Sequence, residues 1–252
     1  IAYRRSISML RSQPMGETRT AHPDKRGSGK FAGLVPHYLL IVAMFAYFFV
    51  SFRVISIFTD PVHQWLAVAY LYDLTVLILV LTVRPLRRCL HDSWKPLRAP
   101  FEGLPMEVIR IGLFVALAVI FLTVLHFVVM VPLSNLLPDI RLRSNPRVEP
   151  VALAWFDLTL GMALLVVVEE LAFRGVLRHI IERYTKSRII LIFLSAVLFG
   201  LAHWFRGPDF VLSAFFLGIV LMYLYVKTGS FLPSILTHSG NNFIALYPWY
   251  FG

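Results

Sequence analysis

The chain has 252 residues, 58% hydrophobic and only 15% charged, with 24 Lys and Arg against 14 Asp and Glu for a formal charge of +10. A soluble domain averages roughly a quarter charged residues, so this composition excludes an ordinary soluble core and indicates an all-α, polytopic membrane protein. The basic residues lie between apolar runs and form no stripe with interleaved aromatics, which excludes a nucleic-acid partner, and the single cysteine, Cys89, excludes an intrachain disulfide.

Residues 1–30 carry seven Arg and Lys without an apolar core, so they are not a secretory signal. They read as a disordered cytoplasmic tail, or alternatively as an organelle transit peptide. Seven apolar runs follow, near 36–57, 63–83, 108–131, 151–172, 188–205, 210–226 and 231–250. Each approaches the ~20 residues that cross a bilayer. Two Pro- and Gly-bearing stretches, 84–105 and 132–150, read as the long loops. The division expected is a basic tail (1–30), an N-terminal membrane region of three spans (31–150) and a four-span core (151–250). With the N-terminus inside, the inner segments together with Arg110 hold 19 of the 24 Lys and Arg. The outer loops hold Arg53, Arg141, Arg143, Arg147 and Arg206. That split sets a cytoplasmic N-terminus, in a bacterial inner membrane or an organelle membrane.

Polar groups inside the spans carry the chemistry. Charges there are costly and mark functional sites. In "VVVEELAFRG" (166–175), Glu170 and Arg174 are four apart with the acid first, the favourable order for a salt bridge. Glu169 points about 100° away and finds no partner among its helical neighbours. One carboxylate is therefore neutralised locally and the other needs a partner from elsewhere, the asymmetry a general base requires.

The helix carrying Glu169 runs to about Tyr184, "TKS" (185–187) turns, and the next span climbs back. The midpoint of 169 and 203 is 186, inside that turn. A helical hairpin therefore sets Glu169 and His203 at one depth. In the last span His238 and Asn242 share a face, with Asn241 at its edge. Counting through the remaining turns puts Asn242 within about one helical turn of His203 in depth, and His238 lower. Asp73, His126 and His37 have no assignable partner and read as structural or pathway-lining. Gly161, Gly200, Gly218 and Gly240 read as packing notches. The same residues would also suit helix–helix hydrogen bonding in a transporter or scaffold, the alternative to an enzyme.

"EELAFR" (169–174), "FGLAH" (199–203) and "HSGNN" (238–242) fit Glu-Glu-x-x-x-Arg, Phe-x-x-x-His and His-x-x-x-Asn in order. The trio resembles the CPBP family of intramembrane endopeptidases, the CAAX proteases and bacteriocin-processing enzymes, which includes the eukaryotic type II CAAX prenyl protease and bacterial abortive-infection-like proteins. The resemblance covers about 151–250. It implies a membrane endopeptidase in which Glu169 and His203 activate a water. It further implies that His238 and Asn242 stabilise the oxyanion while Glu170 and Arg174 hold the base in place. The implied substrate is a prenylated C-terminal CAAX tail or another membrane-tethered segment. The family also carries a metalloprotease label, so Zn²⁺ on Glu169, His203 and His238 is the alternative. We favour a mechanism with no required cofactor, because no His-Glu-x-x-His pair on one helix preforms a zinc site.

Overall fold

The computed structural model describes residues 34–54, 60–93, 104–137 and 147–252. The basic segment 1–30 lies outside them, as do Arg141, Arg143 and the side chains of Arg53 and Cys89. Among the described residues every regular element is helical. Helix α1 is Val35–Val54, α2 is Pro61–Thr82 and α3 is Arg84–Ser93. Helix α4 covers 104–134 with a π-helical turn at Leu125–Met130. Helix α5 is Val151–Tyr184, loosened to π-helix at Asp157–Gly161 and Leu171–Leu177. Helices α6 (Arg188–Leu201), α7 (Pro208–Thr228) and α8 (Phe231–Phe251) complete the chain.

Local chemistry sets these boundaries. Asp60 caps α2 by accepting from the N–H groups of Val62 and His63, with Pro61 at the first position. Ser187 and Ser230 cap α6 and α8 in the same way. Gly229, at φ 66°, closes α7 in a left-handed turn that suits glycine.

Helices α2, α4, α5 and α7 are long and apolar enough to cross a membrane. The expected total of seven spans is thus met in four of the described helices. The regular part of α6 has 14 residues, ~21 Å at helical rise, short of a bilayer core. The polar run Thr237, His238, Ser239, Asn241 and Asn242 dilutes the apolar character of α8. Much of α4 faces outward with apolar side chains such as Leu113, Leu117 and Val128, the pattern of a lipid-facing helix.

The stretch 84–105 corrects the sequence reading at one end, because Arg84–Ser93 is helix rather than loop. The prolines of this stretch made it read as a loop, but Pro85 lies in the first helical turn, where proline is tolerated. Leu86 is buried while Arg84, Arg87 and Arg88 are exposed, so α3 is amphipathic and packs against α2 and the second π segment of α5.

One core joins the N-terminal helices to the rest: Leu40, Met44, Tyr72, Val76 and Val80 pack in the same cluster as Val168, Phe199, Leu221 and Phe231. Helices α6 and α7 run together along their length. A Cβ at Gly218 would come 3.0 Å from the Ala196 Cα, and one at Gly200 would come 2.8 Å from the Val211 carbonyl oxygen. This near-backbone contact fixes the end of α6 that carries Phe199 and His203.

Candidate active site

Glu169 and Glu170 end the regular stretch Met162–Glu170 of α5, immediately before its second π segment. π-Helical turns recur at functional sites because they re-aim side chains within a helix. Glu170 turns into the core with a side chain 0% exposed, and Glu169 retains 12%. Glu170 Oε1 lies 3.2 Å from Arg174 Nη1, and the guanidinium sits 4.7 Å over the Phe199 ring. The same oxygen lies 2.9 Å from His238 Nδ1. Paired with Arg174, Glu170 is an acceptor, so we assign the proton to His238 Nδ1 as donor.

His203 follows the last turn of α6. Its Nδ1–H donates to the Phe199 carbonyl at 2.9 Å, which in the neutral ring leaves the lone pair on Nε2. That Nε2 faces Glu169 Oε1 at 3.8 Å. The other oxygen, Oε2, lies 3.6 Å from His238 Nε2. Two helices thus supply the partners that helix α5 itself could not. Phe199 is the hub beneath them, edge-on to Phe173, His203 and His238 at centroid distances of 4.9, 5.0 and 5.7 Å.

The structure therefore brings together Glu169, Glu170, Arg174, His203 and His238. Asn242, one turn beyond His238 on α8, is half-buried, and among the described residues no hydrogen bond or ion pair ties it to the other five. Asp73 on α2 is 1% exposed with Oδ1 lacking a hydrogen bond, and the charges it faces are Glu169 and Asp157. His126 lies in the π turn of α4 against Phe127, and buried His37 stacks on His179 at 5.2 Å.

The sequence reading passed over Asp157. Buried in the first π segment of α5, it accepts from Tyr70 Oη at 2.5 Å and from Tyr250 Oη, tying α2, α5 and α8 together. The available signal was a lone acid inside the apolar run "AWFDLTLG" (154–161). Its partners carried none, since tyrosines are unremarkable in any membrane helix.

For the zinc alternative the donors must converge on one point. Zinc bonds of ~2.0–2.2 Å in a tetrahedral arrangement require it. Among the described residues no three His, Cys, Asp or Glu side chains are arranged to hold a metal ion, Glu169, His203 and His238 included. No step below is routed through a metal.

Comparison with curated proteins and with solved structures finds no match for this chain. The family model "Type II CAAX prenyl endopeptidase Rce1-like" matches residues 150–244, the stretch from the start of α5 into α8 that contains all three motifs. With four described helices apolar enough to cross a bilayer, the chain is an integral-membrane protein, and its similarity over residues 150–244 to the type II CAAX prenyl endopeptidase Rce1-like family supports membership of the CAAX protease (CPBP) group.

Proposed function

We propose that the chain is an intramembrane endopeptidase that hydrolyses a peptide bond in a membrane-tethered substrate, of the prenylated CAAX type, through a water activated by Glu169 and His203. The observation that carries this reading is the pair Glu169 Oε1 and His203 Nε2, 3.8 Å apart with an acceptor on each side. Two acceptors facing each other need a donor of two protons between them. A water ~2.8 Å from both, seated beside the line that joins them, meets that need.

In the reaction Glu169 takes a proton from this water while the oxygen adds to the scissile carbonyl carbon. The carbonyl oxygen becomes an oxyanion, the C–N bond breaks, and Glu169 returns the proton to the leaving nitrogen. Buried Glu170 and Arg174 hold the local structure around the base. His238 and Asn242 are assigned to the oxyanion. Since His238 Nδ1–H is spent on Glu170, donation from Nε2 requires the doubly protonated ring. Glu169 and Glu170, on its two sides, are the counter-charges for that form.

The seven-span topology with a cytoplasmic N-terminus belongs to the same proposal. It is supported by the exposed Arg84, Arg87, Arg88, Arg183, Lys186, Arg188 and Lys227, which follow the end of α2, flank the turn between α5 and α6 and close α7. The test is cleavage of a farnesylated CAAX peptide by purified protein before and after chelation, with elemental analysis for zinc. Cleavage that persists in metal-free protein is expected. Loss on chelation with recovery on zinc addition would replace the metal-free mechanism. Absence of cleavage for prenylated and other membrane-tethered peptides would sink the hydrolase reading.

A further inference from the structure

One strongly basic surface takes no part in the chemistry above. Residues 84–98 hold five Arg and Lys against one Asp. Three of these cations, Arg84, Arg87 and Arg88, fall on helix α3 at spacings of three and four, so they share one face of it. All three are exposed, while Leu86 on the opposite side is 2% exposed and sits in the main core.

The depth of that face is set by what precedes it. The apolar span of α2 ends at Thr82, and α3 begins two residues later. Arg84 therefore stands within one helical turn of the hydrocarbon edge, at the level of the headgroups. Helix α3 stays on the protein there, packed against α1, α2 and the π segment Leu171–Leu177 that follows Glu170. The bundle takes its apolar side, and guanidinium groups are what it turns outward.

Several cations elsewhere at this end of the bundle are already engaged. Arg178 pairs with Glu182, Lys186 Nζ donates to the Glu182 carbonyl at 3.2 Å, and Lys227 Nζ lies 5.5 Å from the Tyr223 ring centroid. Among the described residues no acid stands within ion-pair distance of Arg84, Arg87 or Arg88. Like charges one turn apart destabilise a helix, and an anion seated among them relieves the repulsion. The guanidinium fork matches phosphate oxygens, and lipid phosphates are the anions found at this depth. A cluster of roughly four to eight cations beside a membrane span is the pattern that holds anionic lipid, and the five of residues 84–98 fall within it.

We propose that the arginine face of α3 binds the phosphate headgroups of anionic phospholipids, fastening α3 between the membrane surface and the helix that carries Glu169. Such binding is independent of the hydrolase reading, since no residue of the active site takes part in it.

The test is native mass spectrometry of the full chain in neutral detergent micelles, titrated with phosphatidylglycerol or with phosphatidylcholine. The wild type should bind phosphatidylglycerol about 10- to 100-fold more tightly, as three surface cations at this depth imply. Arg84→Gln/Arg87→Gln/Arg88→Gln should reduce that preference to less than about 3-fold, and Arg84→Lys/Arg87→Lys/Arg88→Lys should keep most of it. An equal loss of charge at the turn between α5 and α6, Arg183→Gln/Lys186→Gln/Arg188→Gln, should leave the preference within about 3-fold of the wild type. Phosphatidylglycerol should also raise the unfolding midpoint of the wild type and not that of the α3 Gln variant. Equal affinities of the wild type for the two lipids would overturn the proposal. So would a preference lost equally in both Gln variants, which is what net charge alone gives. A preference that inorganic phosphate or a soluble acidic peptide abolishes at the concentration of the lipid would assign the face to a soluble anion and refute the lipid. If the triple Gln variant does not fold, Arg87→Gln carries the comparison: a loss of about 3- to 10-fold sustains the assignment, and an unchanged preference refutes it.

Discussion

Replacing Glu170 by Gln isolates a buried charge and so measures what holds the site together. In the wild type the Glu170 and Arg174 side chains are each 0% exposed and 3.2 Å apart, with His238 2.9 Å away on the other side. A glutamine keeps an oxygen for the His238 Nδ1–H but removes the negative charge beside Arg174. Breaking one partner of a buried pair costs about 3–5 kcal/mol, because the remaining ion stays desolvated and uncompensated. The ring of Phe199 beneath the guanidinium offsets about 0.5–2 kcal/mol at most. Unfolding of the purified protein in mixed micelles, followed by SDS titration of tryptophan fluorescence, should report a loss of that order. Removing the second charge as well, in Glu170→Gln/Arg174→Met, should recover most of it, since an apolar replacement of a whole buried pair is often neutral. A loss below about 1 kcal/mol for the single variant would show that Arg174 is not relying on Glu170. A double variant as unstable as the sum of its singles would show the two residues to be uncoupled.

Three further outcomes follow from the packing and the hydrogen bonds. Tyr70→Phe and Tyr250→Phe each remove one donor from the Asp157 carboxylate and should each destabilise by about 1.5–3 kcal/mol in the same titration, with coupling between them. Independent, negligible effects would remove the cluster as a clasp on α2, α5 and α8. Gly218→Val drives a side chain into Ala196 and Phe199 and should cost about 1–3 kcal/mol by overpacking. It should also lower turnover, because Phe199 carries the carbonyl that orients His203; unchanged turnover in a destabilised variant would separate the two. His203→Ala should lower kcat about 100- to 10,000-fold with little effect on KM, and a purely KM-based loss would assign it to binding.

The parts of the site that the sequence made legible are those governed by counting along helices. Glu169 and His203 are equidistant from the turn at 185–187, and the two side chains lie 3.8 Å apart. Glu170 and Arg174 are four apart on one helix and form the ion pair. The missing parts depend on what helices do to one another. That His238 reaches Glu170 as well as Glu169 follows from how α8 lies on α5. The two π segments of α5 break the 3.6-residue period on which such counting rests, and no local signal announces them. Asp157 was visible as an acid in an apolar run, but its tyrosine partners come from residues 87 and 93 positions away. Helix α3 was misread because a proline-bearing, arginine-rich stretch resembles a loop until Leu86 finds the core.

The most direct measurement is hydrolysis of a farnesylated CAAX peptide by the protein in proteoliposomes, wild type beside Glu169→Ala. Both proteins are first checked for the same unfolding midpoint, since among the described residues Glu169 is held by no ion pair closer than 3.6 Å. We expect cleavage by the wild type and a rate at least ~100-fold lower for the variant, as for a lost general base. A folded Glu169→Ala protein that cleaves at the wild-type rate would contradict the assignment of Glu169 as the base.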